Sequence, residues 1–84
     1  MSAYTVDGFD VVTNHDDAQP HTHYGVEVFE LRGRLVAAPD VEVTILWTVT
    51  NPSADDWSNA CDWDKPYLSA TDYRLACSAV GLRA

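Results

Sequence analysis

The ten residues VEVTILWTVT, positions 41–50, decide how the rest of the chain is read. Val41, Val43, Ile45, Trp47 and Val49 take the odd positions and Glu42, Thr44, Thr48 and Thr50 the even ones, the period of two of a strand with one buried face. Leu46 alone breaks the polar side. β-Branched and aromatic side chains fill the stretch without Gly or Pro, so it reads as a central or near-central strand of an antiparallel sheet.

Upstream of it two further strands are expected. Residues 4–13 form the first: Tyr4 and Val6 share one parity, Phe9 and Val11 the other, and a β-bulge or tight bend at Asp7 and Gly8 restores the apolar face. Residues 14–23 read as a polar loop, broken by Asp16, Asp17 and Pro20. Residues 24–36 form the second strand, with a slip of parity near Val28 and Phe29 and with Gly33 ending or kinking it. Ala37 to Asp40 then supplies a hairpin connection into the strand over 41–50.

Downstream, the period changes after Asn51 and Pro52. Two segments share one pattern, SADDWSNAC at 53–61 and SATDYRLAC at 69–77, sixteen residues apart. Each reads as a helix start, with Ser53 or Ser69 as N-cap and Asp56 or Asp72 three positions on, where a carboxylate suits the positive helix end. Helices are therefore predicted over about 54–62 and 70–80, the first shorter and the second stopped at Gly81. The likeness is either an old duplication or the product of shared capping and packing demands. The fold class expected is α+β, a three-stranded antiparallel meander with one or two C-terminal helices packed on one face. The whole of 1–84 forms one small domain, near the lower size limit for a chain that folds without metals, disulfides or a partner.

Thirteen acids against five Lys and Arg give a formal charge of −8. Such a balance disfavours direct contact with nucleic acid or anionic membranes and attracts basic surfaces; it also serves solubility. Cys61 and Cys77 match no zinc spacing and read as small core residues of a reducing cytoplasm, a single disulfide between them being the alternative. Met1 to Tyr4 carry no basic region and no apolar run follows, so neither a secretory signal nor a membrane span is expected. A cytoplasmic, soluble protein is the expectation, monomeric with a dimer left open.

No catalytic constellation stands out. The two cysteines lie beside alanines on apolar faces, adjacent carboxylates such as Asp16 and Asp17 diverge on an extended chain, and the four glycines never cluster. A non-enzymatic role without a cofactor follows. The metal candidates are His15, His21 and His23, with Asp16 and Asp17 near them. Alternation would put His21 and His23 on one side of an extended segment, but a polar loop with three histidines needs no metal.

The acids are distributed unevenly. Asp7, Asp10, Asp16, Asp17, Glu27 and Glu30 precede the first Lys or Arg of the chain, and Asp55, Asp56, Asp62 and Asp64 are relieved only by Lys65. Carboxylates along one strand face would repeat every ~6.6–7 Å, close to the phosphate step of a nucleic acid. Edge protection is the competing reason for such charges. Between the later acids stand Trp57, Trp63 and Tyr67, aromatic anchors of the kind that interfaces use. Trp57 is expected to close the core, Trp63 to be exposed and to anchor a partner with Tyr67.

In size, acidity and absence of a catalytic motif, the whole chain resembles the small acidic proteins that phages use against bacterial defence, particularly the anti-CRISPR proteins. The resemblance assigns no residue. It implies a stoichiometric inhibitor in the cytoplasm of a bacterial host, a mimic of DNA that occupies the basic, nucleic-acid-binding surface of a CRISPR-Cas or other defence effector. Two other roles fit the same residues: a protein-binding accessory module using the aromatic segment 57–67, and a metal-binding regulatory domain built on the histidines.

Overall fold

Two short dipeptides shape the first half of the molecule. In the computed structural model, which describes residues 2–82 apart from the side chains of Ser2, His15 and Trp57, Asp7 and Gly8 have φ of 51° and 87°, and Tyr24 and Gly25 have φ of 50° and 80°. Paired positive φ values are what a two-residue type I′ hairpin turn needs, because its twist matches that of the strands it joins. Both dipeptides are such turns. The first joins β1 (Ser2–Val6) to β2 (Phe9–Thr13), with Val6 opposite Phe9; the second joins β3 (Gln19–His23) to β4 (Val26–Leu35), with His23 opposite Val26.

These hairpins correct the expected meander. The architecture is α+β with an antiparallel sheet and one C-terminal helix, but the sheet has six strands rather than three. The bend expected at Asp7 and Gly8 is a full reversal, so residues 4–13 are two strands. The loop expected over 14–23 contains β3, which tolerates Pro20 because it pairs on one side only, with β4. No slip occurs at Val28 and Phe29: β4 runs in unbroken register along β5 (Glu42–Thr48), from Val28 opposite Thr48 to Arg34 opposite Glu42. Phe29 points into the core, and Val28 points to the opposite face, where it lies between His21 and Thr48 and is buried.

The strand order is β1-β2-β4-β5-β6, with β6 (Tyr67–Leu68) on the far edge; β2 and β3 share one side of the long β4, β2 along its end and β3 along its beginning. Gly33 sits inside β4 instead of ending it. A Cβ there would lie 2.5 Å from Cγ1 of Val11, so the close approach of β2 requires glycine. Thr13, the buried polar residue of that seam, donates its hydroxyl to the carbonyl of Arg32 at 2.7 Å.

The central strand keeps the alternation of its sequence. Val43, Ile45 and Trp47 face the core with Val6, Phe9, Val11, Phe29, Leu31, Leu35 and Leu68, the last beside Ile45 on the same sheet face, and Ala76 and Cys77 of the C-terminal helix pack in the same core. Helix α1 (Ala70–Ala79) begins as the capping pattern requires: the Ser69 hydroxyl accepts from the Asp72 amide at 3.2 Å. The Asp72 carboxylate goes elsewhere, to the Thr44 amide at 3.0 Å, and so ties the helix start to β5. At the other end Gly81, with φ of 79°, completes a Schellman stop in which the Leu82 amide reaches the Cys77 carbonyl at 2.8 Å.

The helix expected over 54–62 does not form. Turns and bends, with a single 3-10 turn at Trp57–Asn59, lead to Cys61, which bridges to Val49. Asp56 accepts from the Ser58 amide at 3.1 Å, a local turn bond that competes with helix formation. Cys61 and Cys77 are free and buried, as small core residues. No described helix is long and apolar enough to cross a membrane.

Candidate functional site

The register sorts the acids onto different surfaces. Asp10, Glu30 and Glu42 occupy the sheet face opposite the core, but Arg32 and Arg34 stand among them on the same strand face, and Arg32 pairs with Glu42 at 3.6 Å. Asp7 lies in the first hairpin turn, where its carboxylate accepts the Leu68 amide at 2.8 Å and holds β6 in place. Asp16 and Asp17 belong to a 3-10 turn between β2 and β3, and both are exposed. The even spacing of carboxylates along one strand face is therefore interrupted by two arginines.

A different gathering appears at the end of the sheet where β4 begins and β5 ends. Glu27 is exposed there, and its carbonyl accepts the Val49 amide at 3.2 Å. Together with Val49, Pro52 and Ala54 it lines a cleft of about 430 Å³. Asp55 and Asp56 follow Ala54 directly and are exposed; Asp62 and Asp64 flank Trp63 a few residues on. Lys65, the one Lys or Arg between Thr50 and Pro66, is paired with Asp62 at 3.4 Å. Glu27 thus shares a cleft with the residue before Asp55 and Asp56, and Cys61, next to Asp62, bridges to Val49 beside it; this is an acidic end of the sheet, while Arg32, Arg34 and Arg74 belong to the later half of β4 and to α1.

The two aromatic anchors do not share a surface. Trp63 is half-buried rather than exposed: its ring centroid lies 5.1 Å from that of Trp47 and 5.5 Å from that of Phe29, and its indole N–H donates to the Ser58 carbonyl at 2.9 Å. The indole of Trp47 donates to the Trp63 carbonyl at 3.2 Å in return. Trp63 is the clasp that closes the loop over 50–66 onto the core. Tyr67, opposite Leu46, is on the other face, where its phenol oxygen accepts from the Thr48 hydroxyl at 3.4 Å. The Trp57 side chain, expected to close the core, lies outside the described residues.

On that other face β3 and β4 bring together groups that the sequence leaves separate. His21 and His23 both point outward from β3, their rings 5.1 Å apart in an edge-to-face contact, and His23 Nε2 lies 2.7 Å from a Glu30 carboxylate oxygen. One donor atom from each of His21, His23 and Glu30 lies within 4.8 Å of the others. Glu30 reads from the sequence as a surface acid and not as a partner of the histidines; only the hairpin register supplies the link. The His15 side chain lies outside the described residues. Tyr24, which sequence reasoning passed over, is 92 % exposed at the adjoining turn.

Burial pushes the Cys61 thiol above its ordinary pKa, against a weaker lowering by a hydrogen bond with the Phe29 backbone. A protonated, enclosed thiol is a poor nucleophile.

Comparison with protein-family models, with curated proteins and with solved structures gives no match.

Proposed function

We propose that the protein is a non-catalytic binding protein that engages the basic surface of a protein partner through its acidic end. The observation that carries this reading is the cleft that Glu27 shares with Pro52 and Ala54 of the loop over 50–66, a loop that bears Asp55, Asp56, Asp62 and Asp64 and whose one Lys or Arg, Lys65, is already paired. Like charges gathered in this way repel one another. A basic partner relieves that repulsion and is steered toward the site over roughly a Debye length, about 8 Å at physiological salt. The loop that bears four of the five acids is clasped by Trp63, so the charges are presented with little ordering cost on binding.

The partner surface that fits best is a groove shaped for nucleic acid, which makes the protein an inhibitor that excludes DNA from an effector such as a CRISPR-Cas complex. Competition tests this directly. Labelled duplex DNA bound to such a complex is displaced by excess protein at low salt, and the effect weakens steeply as salt rises. Replacing Asp55, Asp56 and Asp64 together by Asn lowers the apparent affinity by about tenfold or more. DNA that stays fully bound at low salt under excess protein sinks the inhibitor reading. Displacement that is insensitive to both salt and the triple replacement moves the binding surface elsewhere.

A further inference from the structure

We infer that His21, His23 and Glu30 form a binding site for a divalent first-row transition cation, with Zn²⁺ the best match. The inference is independent of the acidic end and of any protein partner.

Geometry carries it. The three donor atoms all lie within 4.8 Å of one another, and the closest pair, His23 and Glu30, is at 2.7 Å. Donors at 2.0–2.2 Å from a tetrahedral zinc stand about 3.3 Å apart, so small side-chain rotations, opening the near pair and closing the far one, produce the coordinated arrangement. Two neutral imidazoles and one carboxylate are the donor chemistry of zinc and its first-row neighbours, not of Mg²⁺ or Ca²⁺, which prefer oxygen.

The frame is stiff for an exposed site. All three residues project from paired strands, and the two-residue turn at Tyr24 and Gly25 fixes the register that aligns them. The row of Val28 lies between the rows of His23 and Glu30, so their bond passes across that side chain, which is only 1 % exposed. Val28 is thus an apolar floor under the donors. An ordinary ion pair would need one histidine. It does not account for the second ring, which leans edge-on against the first with its own donor turned into the same small volume.

The charge around the donors favours a cation. No Lys or Arg precedes Arg32 in the chain; Arg32 itself shares a cleft with Glu30 and Asp17 but is paired with Glu42. Three protein ligands on an open sheet face leave a fourth position for water or for a ligand from a partner. Because β4 is the strand partner of β3 among the described residues, a cation bound across both strands also staples the sheet's edge.

The test uses tag-free full-length protein stripped with chelator. Calorimetric titration with Zn²⁺ gives one site per chain, Co²⁺ gives the visible absorption of a four-coordinate centre, and Zn²⁺ raises the melting temperature. His21→Ala, His23→Ala and Glu30→Gln each weaken Zn²⁺ binding by about tenfold or more and abolish the thermal shift. Asp40→Asn leaves binding within about twofold, since Asp40 lies in the turn between β4 and β5, at the other end of β4 from His23. His21 is exposed, so its replacement preserves the fold, checked by an unchanged amide NMR spectrum. The imidazole ¹⁵N shifts of His21 and His23 move with bound Zn²⁺. Absence of saturable binding, or equal affinity in a folded His21→Ala variant, overturns the site.

Discussion

Residues 53–61 and 69–77 share the pattern Ser-Ala-x-Asp-aromatic-x-x-Ala-Cys, yet only the second is a helix. Some of their common features survive in the structure, and others take a different service. Ala60, Cys61, Ala76 and Cys77 are all buried in the same core. The Ser69 hydroxyl caps α1, whereas Ser53 is exposed in a turn that no helix follows. Asp72 crosses to the Thr44 amide; Asp56 stays local and holds the Ser58 amide. The comparison teaches that a capping pattern proposes a helix and its neighbours decide. Ser58 and Asn59 compete with the helical backbone where Arg74 and Leu75 support it. A tertiary demand adds to this: Cys61 must bridge to Val49 and Trp63 must reach Trp47 and Phe29.

The largest effect tests that demand. Trp63→Ala removes the clasp of the irregular segment and should cost on the order of 2–3 kcal/mol in denaturant unfolding, below the ~3–5 kcal/mol of a fully buried Trp because one side of the ring is wet. Protection of amides in the 50–66 loop from hydrogen exchange should be lost first, with that of α1 retained. A uniform loss across the chain would mean that the two segments are one cooperative unit.

Caps provide the next contrast. Ser69→Ala should lower stability by about 1 kcal/mol and Ser53→Ala by less than about 0.3 kcal/mol, although the two serines head the same sequence pattern. Equal costs would show that residues 53–61 become helical in solution.

The two cysteines sharpen the comparison further. Both thiols should react with a disulfide reagent only on unfolding, since both are buried. Burial raises the pKa of Cys61 in the folded state. The folded protein therefore holds that proton where the unfolded chain releases it. Stability from this group is full below the ordinary thiol pKa and falls as pH rises through that value toward the folded one. In the Cys61→Ala background this alkaline slope should be reduced. An unchanged slope would exclude Cys61 as its source.

The smallest expected effect concerns the acids. Asp55→Asn and Asp64→Asn, both exposed, should change stability by no more than about 0.5 kcal/mol and leave or slightly raise the melting temperature, because each removes repulsion from the acidic end. A marked destabilisation would give these carboxylates a structural role in place of a binding one.

Several elements were legible in the residues. The alternation of the central strand named its buried face, and Ser69 and Gly81 bracketed α1 within a residue or so. The first hairpin carried a turn signal in its Asp-Gly pair, yet residues 4–13 read as one bent strand, because only the pairing of β1 with β2 shows that the bend is a full reversal. Tyr24 and Gly25 offered less, because a tyrosine rarely takes positive φ. β3 offered nothing: QPHTH carries no apolar alternation and contains a proline, and it is a strand only because β4 presents an unpaired edge.

By itself, then, the sequence determined the parity of the central strand, the ends of α1, the burial of the two Ala-Cys pairs and the acidic charge. These depend on neighbours a few positions apart along the chain. Only the tertiary structure decided which acids share a surface, that Trp63 turns inward, and that Glu30 meets His21 and His23. Those outcomes follow from strand register, and register depends on which distant segment supplies the hydrogen bonds.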